Sequence, residues 1–308
     1  MRGGERGFAL VAVLLVLTIL GVVGAEFAYS MRLEAAAVRA YKEGVIAGHL
    51  AEAAVEQAIR EISGEGAYVA LDDDGDLTFY TRDRLRLKRL PRDKVPLGAG
   101  QFSYRLTDEE ARLNVNTSPP DRVERLLEAL GLDKRTRDPI VDSLQDWRDT
   151  NEEYRLNGAE SEDTYLKLPV PYRAKNGQLD SIAELLQVKG VTPELFRGTE
   201  ERRGLAELVT VKTPGQINLN TAGRLALRAL GISDAEFTEI SQARRDGPYN
   251  AVPGRWGGRG LTVTTRTFRI EAEGLVDGQV RARLTAIVQR RTDQGTDTMA
   301  VLEWSGAR

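Results

Sequence analysis

An acidic segment, residues 146–163, carries the side chains of this sequence that are best suited to chemistry. Its oxygen-bearing side chains recur at alternating positions, and in calcium-binding loops such side chains converge on a hard cation. The predicted calcium ligands are Asp146, Asp149, Asn151, Glu153 and Glu160. The glycine and the last glutamate stand at the wrong spacing for an EF-hand, and Mg²⁺ fits worse because it prefers few protein carboxylates. A solvated acidic loop without a metal is the alternative.

The composition argues against an enzyme. The 308 residues include no cysteine and one histidine, His49. The sequence therefore has no disulfide framework, no thiolate zinc site and no cysteine nucleophile, and it shows no nucleophile elbow. His49 falls in an amphipathic helical segment and is expected on the surface of that helix. A hydrolase that uses carboxylates alone stays compatible with these residues, but no pattern points to one, and we predict a protein that is not an enzyme.

An apolar run near the amino terminus determines the topology. Between Phe8 and Ala25 there is no charged residue, and the length of the run lies at the lower edge of the roughly 17–25 residues that span a bilayer as a helix. Arg2 and Arg6 precede the run. The positive-inside rule therefore keeps the amino terminus in the cytoplasm and sends the remainder of the chain across the membrane.

Three kinds of processing fit this run. A secretory signal peptide would be cleaved after Ala25, a signal anchor would stay uncut, and a type IV prepilin leader would be cleaved between Gly7 and Phe8 with the apolar helix retained. Two features favour the prepilin leader. The polar head ends abruptly in Gly7, and residues 26–37 continue without a helix breaker, where a secretory cleavage site would need an extended segment.

The pattern beyond the membrane run predicts one continuous helix. Apolar residues recur at helical spacing from Glu26 to about Ile62, and residues 63–66 end the pattern with two glycines. A helix from Phe8 to Ile62 would be on the order of 80 Å long. Its first half would lie in the membrane, and its second half would pack on a soluble domain.

Strands are predicted on both sides of a helical region. Residues 68–80 form a predicted hairpin around an aspartate-rich turn at 72–76, which we interpret as a solvated turn and not as a cation site. Further predicted strands are residues 101–106, 262–272, 279–290 and 299–304. The turn Asp277-Gly278 joins two of them as a hairpin.

The helical region contains a weak internal repeat. The predicted helices are residues 121–130, 137–147, 181–186 and 221–230. Leu113-Asn114-Val115-Asn116-Thr117 opens one unit, Ile217-Asn218-Leu219-Asn220-Thr221 opens the other, and a glycine turn at Gly131, Gly190 or Gly231 follows a helix-like segment. These turns are typical of helix-hairpin-helix units, which present backbone amides to phosphates in nucleic-acid enzymes. Because no basic stripe accompanies them and the net charge is -3, we expect structural units and no nucleic-acid partner.

These patterns predict an α+β fold. A long amino-terminal helix packs on an antiparallel sheet, and a large α-helical domain of the helix-hairpin-helix kind is inserted between two strands of that sheet. The predicted divisions are a leader at residues 1–7, the transmembrane half of the helix at 8–25, the rest of the helix with the first strands at 26–106, the inserted domain at 107–250, and the remaining strands at 251–308.

Several motifs together resemble the minor pseudopilin GspK (general secretion pathway protein K) family of type II secretion systems. In chain order they are Arg6-Gly7-Phe8-Ala9-Leu10-Val11, residues 26–35, Asp146-Trp147, Asn157-Gly158-Ala159-Glu160, Pro171-Tyr172-Arg173-Ala174-Lys175-Asn176-Gly177 and Ile217-Asn218-Leu219-Asn220-Thr221. The resemblance covers nearly the whole chain. The leader is specific only to the class of pilins and pseudopilins, whereas the interior motifs narrow the resemblance to this family.

The resemblance implies a type IV pilin-like fold whose inserted α-domain is larger than in other pseudopilins. It implies that prepilin peptidase cleaves between Gly7 and Phe8 and methylates the new Phe8 amine. It places the chain in the bacterial inner membrane by a single span, with the soluble domain in the periplasm. Such proteins cap the tip of the pseudopilus together with the minor pseudopilins of the I and J kinds, in support of pseudopilus initiation and protein export across the outer membrane. Calcium in the acidic loop is expected, although Asn151 stands where the family commonly has an aspartate.

Position 12 carries a further implication of the resemblance. Most pilins have a glutamate four residues beyond the cleavage site, where it pairs with the free amine of the subunit ahead. This sequence has Ala12 there, and the family shares the absence. A charge without a partner is costly inside a membrane, so a subunit with none ahead of it has no use for the carboxylate. Ala12 therefore fits the topmost subunit.

Two other functions stay open on sequence alone. A minor pilin of a type IV pilus or of a DNA-uptake system would share the leader, and its helix-hairpin-helix units would contact DNA through a basic patch. A secreted hydrolase would begin at Glu26, released by cleavage after Ala25.

Overall fold

The computed structural model describes residues 4–64, 66–293 and 296–307 of the 308-residue chain. The helices are α1 Gly4–Ile62, α2 Pro120–Ala129, α3 Lys134–Arg148, α4 Pro193–Arg197, α5 Leu205–Leu208, α6 Arg224–Ala229 and α7 Asp234–Arg245. The strands are β1 Tyr68–Leu71, β2 Leu77–Tyr80, β3 Val95–Leu97, β4 Gly100–Asp108, β5 Leu113–Asn114, β6 Val209–Thr210, β7 Ile217–Asn218, β8 Leu261–Thr262, β9 Thr267–Val276, β10 Gln279–Asp293 and β11 Thr296–Ala307. Short 3₁₀-helices lie at Glu109–Ala111, Tyr165–Lys167, Ile182–Gln187 and Gly254–Trp256.

Helix α1 is continuous over 59 residues and contains no proline. Residues 8–42 are exposed along its whole circumference, whereas one face is buried from Ala47 onward. Among the described residues it is the one helix long and apolar enough to cross a membrane. The predicted long helix is therefore confirmed, and it begins at Gly4 and not at Phe8.

The second half of α1 packs closely on the sheet because its buried face is built from small residues. Ala47, Ala51, Ala54 and Ala58 are each at most 1% exposed. Opposite them, β9 carries Gly274, where an added Cβ would overlap the backbone carbonyl of Ala47. Alanine on the helix and glycine on the strand thus allow the two backbones to approach.

The sheet has five strands in the order β11-β10-β9-β4-β3, and each neighbouring pair is antiparallel. The predicted turn at Asp277-Gly278 joins β9 to β10, and both residues have positive φ (52° and 74°), which suits the two-residue turn of a twisted hairpin. Strands β4 and β9 lie side by side, although residues 109–266 separate them in sequence. The predicted fold class, a helix on an antiparallel sheet with a helical insertion, is confirmed.

The predicted hairpin at residues 68–80 forms a separate two-stranded sheet from β1 and β2. Its turn is ordered by Asp72, whose Oδ1 accepts hydrogen bonds from the backbone N–H groups of Asp74 (3.2 Å) and Asp76 (2.9 Å). The other oxygen of Asp72 pairs with Arg86 and Arg89. The aspartates therefore build a turn, as the sequence indicated.

The insert between β4 and β9 contains the predicted repeat, and the two units use equivalent residues in the same way. In each unit the first asparagine accepts a hydrogen bond from the backbone N–H of the second, at 2.7 Å for Asn114 and 2.9 Å for Asn218. An arginine of the second helix then donates to carbonyls of the opening segment, Arg148 to Val115 and Ser118, and Arg244 to Leu219 and Ala222. The internal repeat of the sequence is therefore also a repeat in the structure.

The insert ends later than the sequence indicated. Residues 251–263, which the pattern assigned to the sheet, pack in the core of the insert through Trp256, Leu261 and Val263. Strand β8 pairs with β7 in parallel, and β9 begins only at Thr267. Alternation alone gives no information about which neighbour a strand has, so one predicted strand at 262–272 proves to be two strands with different partners.

The insert leaves the sheet at the end of α1 that lies farthest from the apolar segment. Gly274 of β9 lies beside Ala47, whereas the first residues of β9 lie near the last residues of α1. Arg290 of β10 shows this, because its backbone N–H donates to Arg266 (2.7 Å) and its guanidinium donates to the carbonyl of Ile62.

Three consecutive acidic residues, Asp108-Glu109-Glu110, join the insert to the sheet. Asp108 is 3% exposed. Its Oδ2 accepts three hydrogen bonds, from Asn218 Nδ2 (2.8 Å), Thr221 Oγ1 (2.5 Å) and Thr265 Oγ1 (2.6 Å). One buried carboxylate thus holds the second repeat unit and the returning chain together.

The next two residues contact the sheet. Glu109 receives a bidentate hydrogen bond from Arg269 (3.0 and 2.9 Å) and also pairs with Arg112. Glu110 accepts the backbone N–H of Thr267 with both oxygens (3.1 and 3.0 Å). Since Asp108 binds the second repeat unit and Thr265, and Glu109 and Glu110 both bind β9, the junction is a rigid connection and not a flexible linker.

Candidate functional site

Two regions carry the functional residues that the sequence predicts, the start of α1 and the acidic loop after α3. The peptide bond between Gly7 and Phe8 lies inside α1, and the Phe8 side chain is 78% exposed. Ala12 also lies on the exposed part of the helix. Cleavage at this bond and methylation of Phe8 stay predictions.

Asp146 organises the acidic loop from the last turns of α3. Its side chain is fully buried, and its Oδ2 accepts the backbone N–H groups of Ala159 (3.0 Å) and Arg155 (3.1 Å). Gly158 is required between them, because a Cβ at this position would overlap Oδ2 of Asp146. The predicted ligand Asp146 therefore folds the loop around itself.

Arg155 joins two of the predicted ligands. Its Nη1 lies 2.6 Å from Oδ1 of Asp146 and 2.8 Å from Oδ2 of Asp149, so that one nitrogen bridges both carboxylates. These hydrogen bonds raise the pKa of Arg155, with that to Asp149 the larger cause, and its guanidinium stays charged. The sequence did not single out Arg155, since its type and position indicate only a solvated charge.

Asn151 and Glu153 lie on the outer part of the loop. The side chain of Asn151 donates to Asp149 Oδ1 (2.9 Å) and accepts the backbone N–H of Glu153 (2.8 Å). Glu153 itself is exposed. These two predicted ligands therefore shape the local turn, and the structure does not bring the Glu153 carboxylate to the buried side of the loop.

Glu160 differs from the other predicted ligands because its carboxylate has no partner. The residue is 1% exposed, and neither side-chain oxygen has a hydrogen-bond partner among the described residues. Burial, together with the charges of Glu152, Asp146 and Asp149, raises the pKa of Glu160 to about 7. A buried carboxylate without a donor is unfavourable, and a bound cation would remove that cost.

Two residues beside Glu160 were missed in the sequence. Glu152 adds negative charge there, and Asn176 crosses the loop, where its Nδ2 donates to the Asn151 carbonyl and to Glu152 Oε1, both at 3.1 Å. The Oδ1 of Asn176 is buried and has no partner among the described residues. Neither residue follows the alternating spacing, although Asn176 lies in the quoted motif at residues 171–177.

The donor set suits a hard cation such as Ca²⁺, because it consists of carboxylate and amide oxygens. The five predicted ligands are nevertheless not gathered around one point. Within the described ranges, no group of three or more histidine, cysteine, aspartate or glutamate side chains is close enough to hold a metal ion. The calcium site therefore stays a proposal.

Three aromatic side chains pack together at the base of the acidic loop. Tyr165 meets Trp147 edge to face, with ring centroids 5.4 Å apart, and stacks on Tyr172 at 5.1 Å. Lys189 donates from Nζ to the carbonyl of Gly158 (2.9 Å). The base of the loop is thus fixed, whereas its outer residues Tyr154 and Leu156 are 58% and 94% exposed.

Comparison with known proteins gives consistent matches. The model of the family described as "Type II secretion system (T2SS), protein K" matches residues 103–201. The type II secretion system protein K of Pseudomonas aeruginosa is 25% identical, over 97% of this chain and 93% of that protein. The protein of the same name from Pectobacterium carotovorum is 32% identical over 34% of this chain and 36% of its own length.

A solved structure shares the fold. A chain of the GspK-GspI-GspJ complex from the enterotoxigenic Escherichia coli type 2 secretion system superposes with a TM-score of 0.66 at 20% sequence identity. The match covers 89% of this chain and 99% of that one. The two chains thus share a fold over most of their lengths.

Proposed function

This chain belongs to the protein K family of type II secretion systems, and from that premise we propose that it is a minor pseudopilin at the tip of the pseudopilus. It is held in the bacterial inner membrane by the single span in α1, and its soluble part lies in the periplasm. It supports the initiation of pseudopilus assembly and, through the pseudopilus, protein export across the outer membrane.

The position of the insert is the observation that supports the tip assignment most strongly. The insert leaves the sheet beside Ile62, at the end of α1 opposite the apolar segment. In a filament whose subunits stand with their α1 helices roughly along its axis, a domain of this size covers the upper surface of the subunit. Another subunit cannot stack there, so the chain fits the first place in the filament.

The partners follow from the same assignment. The similar solved chain is part of a complex with GspI and GspJ, and we expect this chain to assemble with minor pseudopilins of the I and J kinds. Residues 8–42 of α1 offer a long surface for such helices, since every one of these side chains is exposed. Ala12 lies within it and places no unpaired carboxylate in the membrane.

We propose a role in assembly. The chain has no cysteine, and its one histidine, His49, lies on an exposed helix face at 3.0 Å from Glu52. We therefore attribute its action to helix packing and subunit contacts.

A pilin that binds DNA is the second candidate, and the helix-hairpin-helix turns argue against it. In nucleic-acid enzymes the helix after such a turn presents free backbone amides to a phosphate. Here Asp133 caps α3 by accepting the N–H of Thr136 (2.8 Å), and Ser233 with Glu236 forms a capping box on α7. Acidic side chains thus occupy the positions that a phosphate would need.

Calcium in the acidic loop is part of the proposal. The residues that would hold it are Asp146 and Asp149, which one nitrogen of Arg155 bridges, and Glu160, whose two oxygens have no partner among the described residues. When bound, the ion would neutralise these carboxylates and fix the loop. It would have a structural role in the insert.

The amino-terminal mass of the mature protein from membranes tests the class. We expect a methylated amino terminus at Phe8, and a start at Glu26 or an intact Met1 would contradict the proposal. A Gly7→Val variant should keep its leader, because the family's leader ends in glycine, whereas Gly4→Val should be processed normally.

The tip position is tested separately by labelling. Pseudopili sheared from cells and labelled with an antibody to the insert should carry the label at one end only. Label along the length of the filament would contradict the tip assignment and leave the class intact.

A further inference from the structure

The bridge that Arg155 forms places a positive charge between two carboxylates. A single atom, Nη1, lies 2.6 Å from Asp146 Oδ1 and 2.8 Å from Asp149 Oδ2. Calcium lies roughly 2.3–2.6 Å from carboxylate oxygens. The positively charged nitrogen therefore occupies the space between the two carboxylates, and a cation that bound both of them would have to displace it.

The two oxygens of Asp146 share the backbone N–H of Arg155, at 3.3 Å from Oδ1 and 3.1 Å from Oδ2, and otherwise have different partners. Oδ2 accepts the backbone N–H groups of Ala159 and Arg155 and so fixes the course of the loop. Oδ1 receives the Arg155 guanidinium. The side chain of Arg155 can therefore leave Oδ1 while Oδ2 keeps both backbone contacts.

We propose that Arg155 is the built-in counterion of this loop and competes with a divalent cation for Asp146 and Asp149, so that cation binding displaces its side chain into solvent. The inference rests on the calcium site proposed above. The side chain of Arg155 is already 43% exposed. Its neighbours Tyr154 and Leu156 are exposed as well, and no packed side chain of theirs blocks the movement.

Glu160 is the independent reason to expect a cation there. Arg155 pairs with two carboxylates, but the buried carboxylate of Glu160 has no partner within the described part of the chain, and Glu152 adds a further negative charge beside it. Arg155 and the nearby guanidinium of Arg148 thus face four carboxyl groups. A divalent ion compensates this set better than a guanidinium does.

The consequence is that Arg155 weakens calcium binding and stabilises the loop without calcium. A charge-assisted hydrogen bond contributes more than a neutral one, and a ligand that must displace such a contact binds more weakly by the corresponding factor. Removal of the guanidinium should therefore tighten calcium binding roughly tenfold. The same change should lower the melting temperature of the calcium-free protein.

The test compares Arg155→Gln with the full-length wild-type chain in detergent, with calcium alone as the ligand. Arg173→Gln is the matched control, because Arg173 lies in the same acidic region, 3.2 Å from Glu162, and its loss removes the same charge. Isothermal titration gives the Kd for calcium, and thermal unfolding after chelation gives the stability without it. We expect a lower Kd for calcium and a lower melting temperature of the calcium-free protein for Arg155→Gln only.

The outcomes separate the inference from the calcium site. Binding by Arg155→Gln that is tighter than in wild type and Arg173→Gln supports the inference, and binding by Arg155→Gln alone supports it too. Equal affinities in all three proteins, or equal tightening in both variants, would overturn the competition and leave the calcium site in place. Absence of binding in all three would overturn the calcium site and the inference with it.

Discussion

Replacing Glu110 with glutamine tests the junction between insert and sheet. The carboxyl of Glu110 is 3% exposed and accepts the backbone N–H groups of Arg266 and Thr267. Burial, and then the charge of Asp108, raise the pKa of Glu110 to about 9 from 4.5. Burial also raises the pKa of Asp108. The folded protein therefore keeps Glu110 protonated at neutral pH, whereas the unfolded chain loses this proton.

The sign of the effect follows from proton binding. Because the folded-state pKa of Glu110 is raised, its contribution to stability is complete below about pH 4.5 and is lost as the pH rises towards 9. The loss is about 1.4 kcal/mol per pH unit, or about 3 kcal/mol between pH 6 and pH 8. Glutamine keeps the shape and cannot ionise. Glu110→Gln should therefore equal wild type near pH 5 and exceed its stability at pH 8.

Urea unfolding of the full-length chain in detergent at pH 5–9 measures the effect, with the fluorescence of the buried Trp147 and Trp256 as the probe. Glu109→Gln is the control. Burial alone would raise the pKa of Glu109, but hydrogen bonds from Arg269 and the charges of Arg112 and Arg269 outweigh burial and lower it. This variant should lose stability at pH 6 and pH 8 alike. An unchanged pH dependence in Glu110→Gln would refute the reasoning.

Three further substitutions test other contacts. Gly158→Ala should cost about 1–3 kcal/mol in urea unfolding, because the new methyl group overlaps Oδ2 of Asp146. Gly274→Val should cost more than about 3 kcal/mol in the same assay, since its side chain would overlap the Ala47 carbonyl and push α1 from β9. Ala12→Glu should reduce the number of pseudopili counted per cell, because the new carboxylate has no partner in the subunit ahead.

Each of these substitutions has a matched control. Gly177→Ala lies in the same loop region, and its Cβ would meet only the Lys175 carbonyl at 3.8 Å, so it should be near neutral. Gly254→Val has open space and should also be tolerated. Ala12→Gln adds a side chain of the same length at the same position without the charge and should leave the pseudopilus count near that of wild type. If a control variant lost as much stability, or as many pseudopili, as the substitution it is matched to, the specific contact would not be the cause of the effect.

Local patterns predicted the elements whose form depends on neighbours in sequence. The uninterrupted helical spacing up to Ile62 predicted α1, and Asp277-Gly278 predicted the hairpin of β9 and β10. The paired Asn-x-Asn segments predicted two equivalent units, and the structure extends the equivalence to Arg148 and Arg244. These residues act within one turn, one hairpin or one helix pair, and their spacing is visible in the sequence.

The junction could not be predicted because its contacts join distant residues. Thr267 is paired with Glu110 across the whole insert, and no spacing rule relates the two positions. The end of the insert was misplaced for the same reason, since residues 251–263 were assigned to the sheet although Trp256 packs in the helical core. A sequence pattern gives the form of a segment, and long-range packing decides its neighbour.

The acidic residues show what a structure adds to residue type. Asp72 and Asp146 each looked able to bind a cation or to face solvent, but in the structure the oxygens of both accept hydrogen bonds from the protein. Glu160 is the one carboxylate of the described ranges with both oxygens buried and unpartnered. A cation gains least where protein donors already compensate the charge and most where none do. Calcium in the insert should therefore depend more steeply on Glu160 than on Glu153, which is exposed, and Glu160→Gln against Glu153→Gln measures this directly.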